Sequence, residues 1–148
     1  MKRRALLNGF ALLPLLQVLP VFAATSIHVY KNPNCGCCGD WVKHLESAGF
    51  AVQVTEVSDT AETRKKLGMP EKFGSCHTAT ADGYLLEGHV PAADIKRLLA
   101  TRPKALGLAV PGMVAGSPGM EMGSRKEPYQ VLLVDRSGGH SVFSKYNQ

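Results

Sequence analysis

The sequence predicts a single α/β domain to which a loop and a β-hairpin are added at the C-terminal end. Short β-type runs alternate with segments of helical apolar periodicity over most of the chain. Glycine and proline residues stand between these segments, where turns are expected. Residues 24–148 are enough for one compact domain with a hydrophobic core of its own.

The first 23 residues have the composition of a signal peptide. A basic segment at 2–4 precedes an apolar run over 5–19, and residues of small or medium size follow at 21–23. The apolar run is shorter than the ~20 residues of a membrane span. We therefore expect export, cleavage after Ala23 and no stable membrane insertion afterwards. An uncleaved anchor and twin-arginine export are the alternatives.

The positive charge of the chain is largely a property of this leader. Its three basic residues and lack of acidic ones mean that cleavage lowers the formal net charge from +5 to +2. No basic patch interleaved with aromatic residues remains in 24–148. We therefore expect no nucleic-acid partner.

The N-terminal half predicts a strand at 27–30, a helix over 40–48 and a second strand over 50–54. Trp41 and Leu45 belong to one apolar stripe of this helix. Alternation in the second strand predicts one buried face.

The next segments predict a capped helix, a hairpin and a third helix. Asp59 and Glu62 have the spacing of a capping pair for a helix that ends near Leu67 and whose charged residues, Arg64 among them, predict a solvated face. Asp82-Gly83 is a hairpin turn signal. Pro91 opens the third helix, which ends at 102–103. The resulting order, β-α-β-α-β-β-α, is that of the thioredoxin fold.

The remaining segment is an addition to that order. Residues 106–110 are apolar, and Pro111 to Gly123 form a loop rich in glycine, proline and methionine. Two further β-type runs, 129–135 and 140–146, predict a hairpin across Ser137-Gly138-Gly139. The loop has few large apolar residues, so its methionines are not expected to fill a core.

Three of the four cysteines, Cys35, Cys37 and Cys38, lie where the first strand gives way to a helix. Free N–H groups and the positive end of the dipole at a helix start favour thiolates. The Cα atoms of adjacent residues are ~3.8 Å apart, which is less than the separation that disulfides prefer. A bridge from Cys37 to Cys38 is therefore unfavourable and one from Cys35 to Cys37 is little better, so Cys35–Cys38 is the favoured local bridge. In the predicted fold Cys76 and His77 enter the third strand beside this turn, which brings four sulfurs together.

Such a set of sulfurs favours a soft metal ion. Zinc could use Cys35, Cys38, Cys76 and a histidine, but Cys37 would then be unexplained. Iron–sulfur motifs usually have wider spacings. Copper(I) suits the close spacing, because one thiolate can bridge two ions and four Cu⁺ balance four thiolates.

Other donors could complete the site. His77 adjoins a proposed ligand, whereas His89 could be a ligand, a hydrogen-bond partner of a ligand or a capping group. Met113, Met120 and Met122 offer thioethers for outer copper positions. A second function, a thiol–disulfide oxidoreductase using Cys35 and Cys38, remains open, although it leaves Cys37 and Cys76 without a role.

Five segments together resemble the periplasmic copper-resistance protein CopG family, long catalogued as a domain of unknown function. They are Asn-Pro-Asn-Cys-Gly-Cys-Cys at 32–38, Ser-Cys-His-Thr-Ala at 75–79, Glu-Gly-His-Val-Pro-Ala at 87–92, Val-Pro-Gly-Met at 110–113 and Gly-Ser-Pro-Gly-Met-Glu-Met at 116–122. The resemblance implies a periplasmic, thioredoxin-like domain that binds a copper cluster and supports copper tolerance, with copper oxidoreductase activity as a possible extension. Its ligands would be Cys35, Cys37, Cys38 and Cys76, and its partners copper ions and other periplasmic copper-handling or efflux proteins.

Overall fold

The structure is a computed structural model that describes residues 24–148. The predicted signal peptide, residues 1–23, lies outside the described residues. Within 24–148 no helix has the length and apolar character needed to cross a membrane.

The described residues form seven strands and three helices around one mixed sheet. The strands are β1 Ser26–Lys31, β2 Ala51–Glu56, β3 His77–Ala81, β4 Tyr84–Glu87, β5 Gly107–Ala109, β6 Tyr129–Val134 and β7 His140–Tyr146. The helices are α1 Gly36–Ser47, α2 Thr60–Leu67 and α3 Ala92–Thr101. The predicted α/β class and the order β-α-β-α-β-β-α are confirmed, and β5 is a short strand within the predicted apolar segment.

The sheet has the strand order β2-β1-β3-β4-β5-β6-β7. The pairs β1–β2 and β4–β5 are parallel, and the other neighbours are antiparallel. The added segment therefore continues the same sheet through β5 and the β6–β7 hairpin. Because β3 lies beside β1, the residues that precede β3 reach the turn that follows β1.

The core joins α1 and α3 to the sheet. Trp41 and Leu45 of the predicted α1 stripe are fully buried with Ile95 and Leu98 of α3. The indole Nε1 of Trp41 donates to the carbonyl of Val90 at 2.9 Å. Trp41 thereby fixes the first turns of α1 against the segment that leads into α3.

Two local predictions are confirmed. Asp59 is the N-cap of α2, and its carboxylate accepts the Glu62 N–H at 3.0 Å. Asp82 and Gly83 form the turn between β3 and β4 with φ of 47° and 86°. Left-handed backbone at both positions suits the tight hairpin that their residue types predict.

Three details differ from the prediction. Helix α1 starts at Gly36, four residues before the predicted Asp40, so its first turn includes the cysteines. Strand β2 begins at Ala51, after the buried Phe50, and Val52 packs half-buried against the core as predicted, but Val54 is 40 % exposed on this edge strand, which pairs only with β1. Arg64, predicted on a solvated face, is buried because Glu71 and Glu87 lie against it.

Candidate metal centre

The first turn of α1 presents three cysteines from one short stretch of backbone. Cys35 is the N-cap in an extended conformation, and its amide donates to the carbonyl of Asn32 at 3.0 Å. The Asn32 side chain accepts the Asn34 N–H at 2.9 Å, which closes the turn before the helix. Cys37 then lies half-buried at the surface, while Cys38 faces inward and is fully buried.

Cys76 completes the group from the other side. It directly precedes β3, and its Sγ lies 3.5 Å from that of Cys38 and 3.9 Å from that of Cys37. The Sγ atoms of Cys35 and Cys37 are 3.6 Å apart. All four sulfurs lie within 4.8 Å of one another. The juxtaposition expected from the fold is therefore present.

These separations fit shared metal ligands. With thiolate–zinc bonds of about 2.3 Å, two sulfurs on one tetrahedral ion lie roughly 3.8 Å apart. The observed 3.5–3.9 Å contacts are close to that value. The donor set consists of sulfur alone at this end, which selects a soft ion.

Two of the four cysteines are joined in this structure. Cys35 and Cys38 form a disulfide with Cα atoms 5.3 Å apart, and Cys37 and Cys76 are free. This is the local bridge that the sequence favours. In this structure the protein is thus oxidised and has two free sulfhydryl groups. Reduction of the Cys35–Cys38 bridge would give four sulfhydryl groups in one place.

Two buried histidines extend the group beyond Cys76. His77 Nδ1 lies 3.3 Å and His89 Nε2 lies 3.2 Å from the Cys76 Sγ. Both side chains are fully buried, and Cys76, His77 and His89 form a second possible metal-binding group. The cysteine cluster and this histidine pair share one sulfur.

The tautomer of His89 follows from its other contact. Its Nδ1 is 2.7 Å from the carbonyl oxygen of Pro118, which can only accept, so Nδ1 carries the proton. Nε2 therefore presents its lone pair to Cys76. A carbonyl that fixes the ring of a ligand in this way is typical of metal-binding histidines.

Burial decides the protonation of these groups. It lowers the pKa of His77 to about 3, assisted by nearby His89, and it also lowers the pKa of His89. Burial and the neighbouring Cys37 raise the pKa of Cys76 to about 12. At neutral pH both imidazoles are thus neutral and Cys76 keeps its proton, which a bound metal ion would displace.

The methionine loop lies against the start of α1. Gly119 has φ of +82°, and a Cβ there would be 2.7 Å from the Trp41 nitrogen and 2.8 Å from the Cys37 carbonyl oxygen. Met120 is half-buried, whereas Met113 and Met122 are 58 % and 56 % exposed. The loop backbone is therefore close to the cysteines, and two of its three thioethers face solvent.

The sequence leaves three roles open for His89, whereas the structure places it as close to Cys76 as His77. Its partner Pro118 is 29 residues away in the loop, so no local pattern could reveal the contact. His44 of α1 accepts the N–H of Ala92 at 3.0 Å at the start of α3. His28 forms hydrogen bonds with Thr55 and Tyr30 on the β1–β2 side of the sheet.

Comparisons with known proteins place these residues in context. Residues 73–120 match the model of a family described as a protein of unknown function, DUF411. No curated protein sequence matches the chain. Two solved structures, described as Copper resistance protein copG in Form 2 and Form 1, are each 49 % identical to the chain with a TM-score of 0.80. The match covers 84 % of this chain and 99 % of the Form 2 chain, and 85 % and 100 % for Form 1. These matches and the cysteine cluster fit a role in copper tolerance.

Proposed function

Since the chain belongs to the copper resistance protein CopG family, we propose that it is an exported copper-tolerance protein that binds several Cu(I) ions. The observation that carries this proposal is the convergence of all four cysteine sulfurs within 4.8 Å of one another. The ligands are Cys35, Cys37, Cys38 and Cys76. Copper is the cargo of this site, and other periplasmic copper-handling or efflux proteins would deliver or receive it.

Charge and spacing favour several ions over one. Four thiolates around a single Cu⁺ would leave three uncompensated negative charges in a site where Cys38 is fully buried. Bridging thiolates let each sulfur serve two ions, so that four Cu⁺ neutralise the set. The 3.5–3.9 Å sulfur contacts are compatible with such sharing.

The two histidines and the methionine loop supply further donors. His77 and His89 approach Cys76 from the buried side as neutral imidazoles, which suit copper as well as zinc. Met113, Met120 and Met122 would provide thioethers for outer copper positions. These groups would allow the cluster to hold copper while its oxidation state changes between Cu(I) and Cu(II).

The disulfide supports a second candidate function. Cys37 lies 3.6 Å from the bridged Cys35, and Cys76 lies 3.5 Å from the bridged Cys38. Attack of either free thiolate would break the Cys35–Cys38 bond, form a new disulfide and release one cysteine as a thiolate, which rearranges the bridge without net oxidation. With a substrate dithiol as the reductant, the same exchange would reduce the bridge and leave the substrate as a disulfide, and the reduced pair would in turn reduce a substrate disulfide. The chain could in this way act as a thiol–disulfide oxidoreductase through Cys35 and Cys38, without copper.

A titration of the reduced protein under anaerobic conditions separates the two functions. We expect more than one Cu(I) per chain against a chromophoric Cu(I) chelator, and copper–copper contacts in X-ray absorption spectra. Cys37→Ser should impair this binding severely. Saturation at one equivalent without copper–copper contacts would exclude the cluster. Intact copper binding in Cys37→Ser, with insulin reduction abolished by Cys35→Ser, would favour the oxidoreductase.

A further inference from the structure

A buried ion pair lies directly behind Cys76. Arg64 of α2 is 3 % exposed and Glu87 of β4 is fully buried. The Arg64 Nε donates to Glu87 Oε1 at 2.7 Å, and Arg64 Nη1 reaches the exposed Glu71 at 3.0 Å. A buried pair of this kind rarely stabilises a fold more than apolar side chains of similar volume would. Its presence therefore calls for a role besides stability.

The Arg64–Glu87 pair forms hydrogen bonds with both backbone polar groups of Ser75, its N–H and its carbonyl oxygen. Glu87 Oε1 accepts the Ser75 N–H at 2.7 Å, and Arg64 Nη2 donates to the Ser75 carbonyl oxygen at 2.6 Å. Ser75 precedes β3, so these side chains replace the strand partners that its backbone would otherwise use. The residue held in this way immediately precedes Cys76.

The opposite face of the same segment is also fixed. The Ser75 hydroxyl donates to the Gly112 carbonyl, and the Gly112 N–H donates to the Gly74 carbonyl at 3.0 Å. A Cβ on Gly88 would lie 2.5 Å from the Val110 carbonyl oxygen and 2.7 Å from the Ser75 Cβ. The segment 74–75 is thus enclosed between the ion pair and the start of the methionine loop.

We propose that Arg64 and Glu87 are positioning residues that set the place of the Cys76 sulfur before any metal binds. This inference rests on the proposed copper-binding function. Cys76 is the sulfur that contacts Cys37, Cys38 and both buried histidines. Fixing its backbone removes the reorganisation that copper binding would otherwise require.

The decisive variant replaces the pair by apolar side chains, Arg64→Met with Glu87→Leu. It leaves no buried charge unpaired but removes both hydrogen bonds to Ser75. We expect a folded protein whose Cu(I) affinity falls about 10- to 100-fold, as happens when partners that orient metal ligands are lost. Glu62→Leu with Lys66→Met is the matched control, because it removes an exposed ion pair from the same helix. The control should bind copper as the wild type does.

Two conservative variants distinguish positioning from bulk stability. Glu87→Gln keeps an oxygen that can accept from Ser75, so its copper affinity should stay within a few-fold of the wild type. Arg64→Lys keeps the charge but loses the fork that joins Glu87 to Ser75, so its affinity should fall although the protein folds. Arg64→Lys also provides the test if the double variant does not fold.

Backbone hydrogen exchange of the metal-free protein gives a readout that does not depend on copper. We expect faster exchange over residues 74–77 in the double variant or in Arg64→Lys, and no change there in the Glu62/Lys66 control. Unchanged copper affinity and unchanged exchange in a folded variant would overturn the positioning role. A wild-type protein that binds at most one Cu(I) would instead contradict the proposed function, and the exchange result would still report on the position of Cys76.

Discussion

The candidate centre has two sides that differ in how firmly the protein holds them. The inner side consists of Cys38, Cys76, His77 and His89, of which Cys38 and both histidines are fully buried. The outer side consists of Cys35, Cys37 and the loop methionines, of which Met113 and Met122 are more than half exposed. A metal ion arriving from solvent would therefore meet the outer side first.

The difference suggests a division of labour within one donor set. On the inner side, Pro118 fixes the His89 ring and the Arg64–Glu87 pair fixes the backbone before Cys76. On the outer side, the cysteines depend on the helix start and on the oxidation state of the Cys35–Cys38 bridge. Fixed donors favour affinity, whereas accessible donors favour exchange of the ion.

The largest effect is expected from removing the Cys76 sulfur, which connects the inner side to the outer side through its contact with Cys37. Cys76→Ser removes the contacts to Cys37 and Cys38 together. We expect the reduced variant to bind at most one Cu(I), with an affinity at least ~100-fold below that of the wild type, equivalent to about 2.7 kcal/mol. Competition with a Cu(I) chelator measures both quantities, and circular dichroism checks the fold. Wild-type stoichiometry in this variant would show that the inner side is not part of the centre.

A second prediction concerns the stability of the metal-free protein at low pH. Because the folded-state pKa of His77 is about 3 and the ordinary value is 6.5, unfolded chains bind a proton between these pH values and folded chains do not. The stabilisation is fully present above pH 6.5 and is lost progressively as the pH falls towards 3. At about 1.4 kcal/mol per pH unit, we expect the free energy of unfolding to fall by about 2 kcal/mol from pH 7 to pH 5 through His77.

Urea unfolding of the metal-free protein at several pH values measures this dependence. His77→Phe keeps an aromatic ring beside Trp41, whose ring centroid is 4.4 Å from that of His77. The variant should therefore make the decrease between pH 7 and pH 5 shallower and leave the part that the buried His89 contributes. An equally steep decrease in His77→Phe would mean that another group carries the proton uptake.

The features of the fold and of the centre differ in how far the sequence could predict them. The turn at Asp82-Gly83, the Asp59 cap and the grouping of Cys35, Cys37 and Cys38 depend on neighbouring residues, so local patterns predict them. The approach of Cys76 followed from the order of the elements, because the residue before β3 must lie near the end of β1.

What the sequence could not predict depends on distant partners. Arg64 looks like one charge among several on α2, and only its contact with Glu87 makes it a buried residue. His89 gains its fixed tautomer from Pro118 in the loop. Val54 has the pattern of a half-buried strand, but β2 is an edge strand and its side chain stays exposed. Each of these features depends on how segments that are distant in the sequence are arranged in the fold, which local periodicity does not report.

The smallest expected effect concerns the methionines of the outer side. Met113, Met120 and Met122 offer thioethers that hold Cu(I) without competing for protons, unlike thiolates and imidazoles. We expect the loop to close over bound copper and to slow its release. Replacing all three by Leu keeps apolar side chains of similar size but removes the sulfur. The variant should still load copper on its cysteines and should release it up to about tenfold faster, equivalent to about 1.4 kcal/mol in the barrier.

Stopped-flow transfer to a chromophoric Cu(I) chelator measures this release. Met69→Leu is the matched control, because Met69 is buried in a separate apolar cluster with Phe73 and Leu85. It should leave the release rate unchanged. Hydrogen exchange over residues 111–123 should also slow when copper binds, since a loop that closes over the metal protects its amides. If neither the release rate nor the loop exchange responds, the inner side alone controls the retention of copper, and the methionines serve a different step.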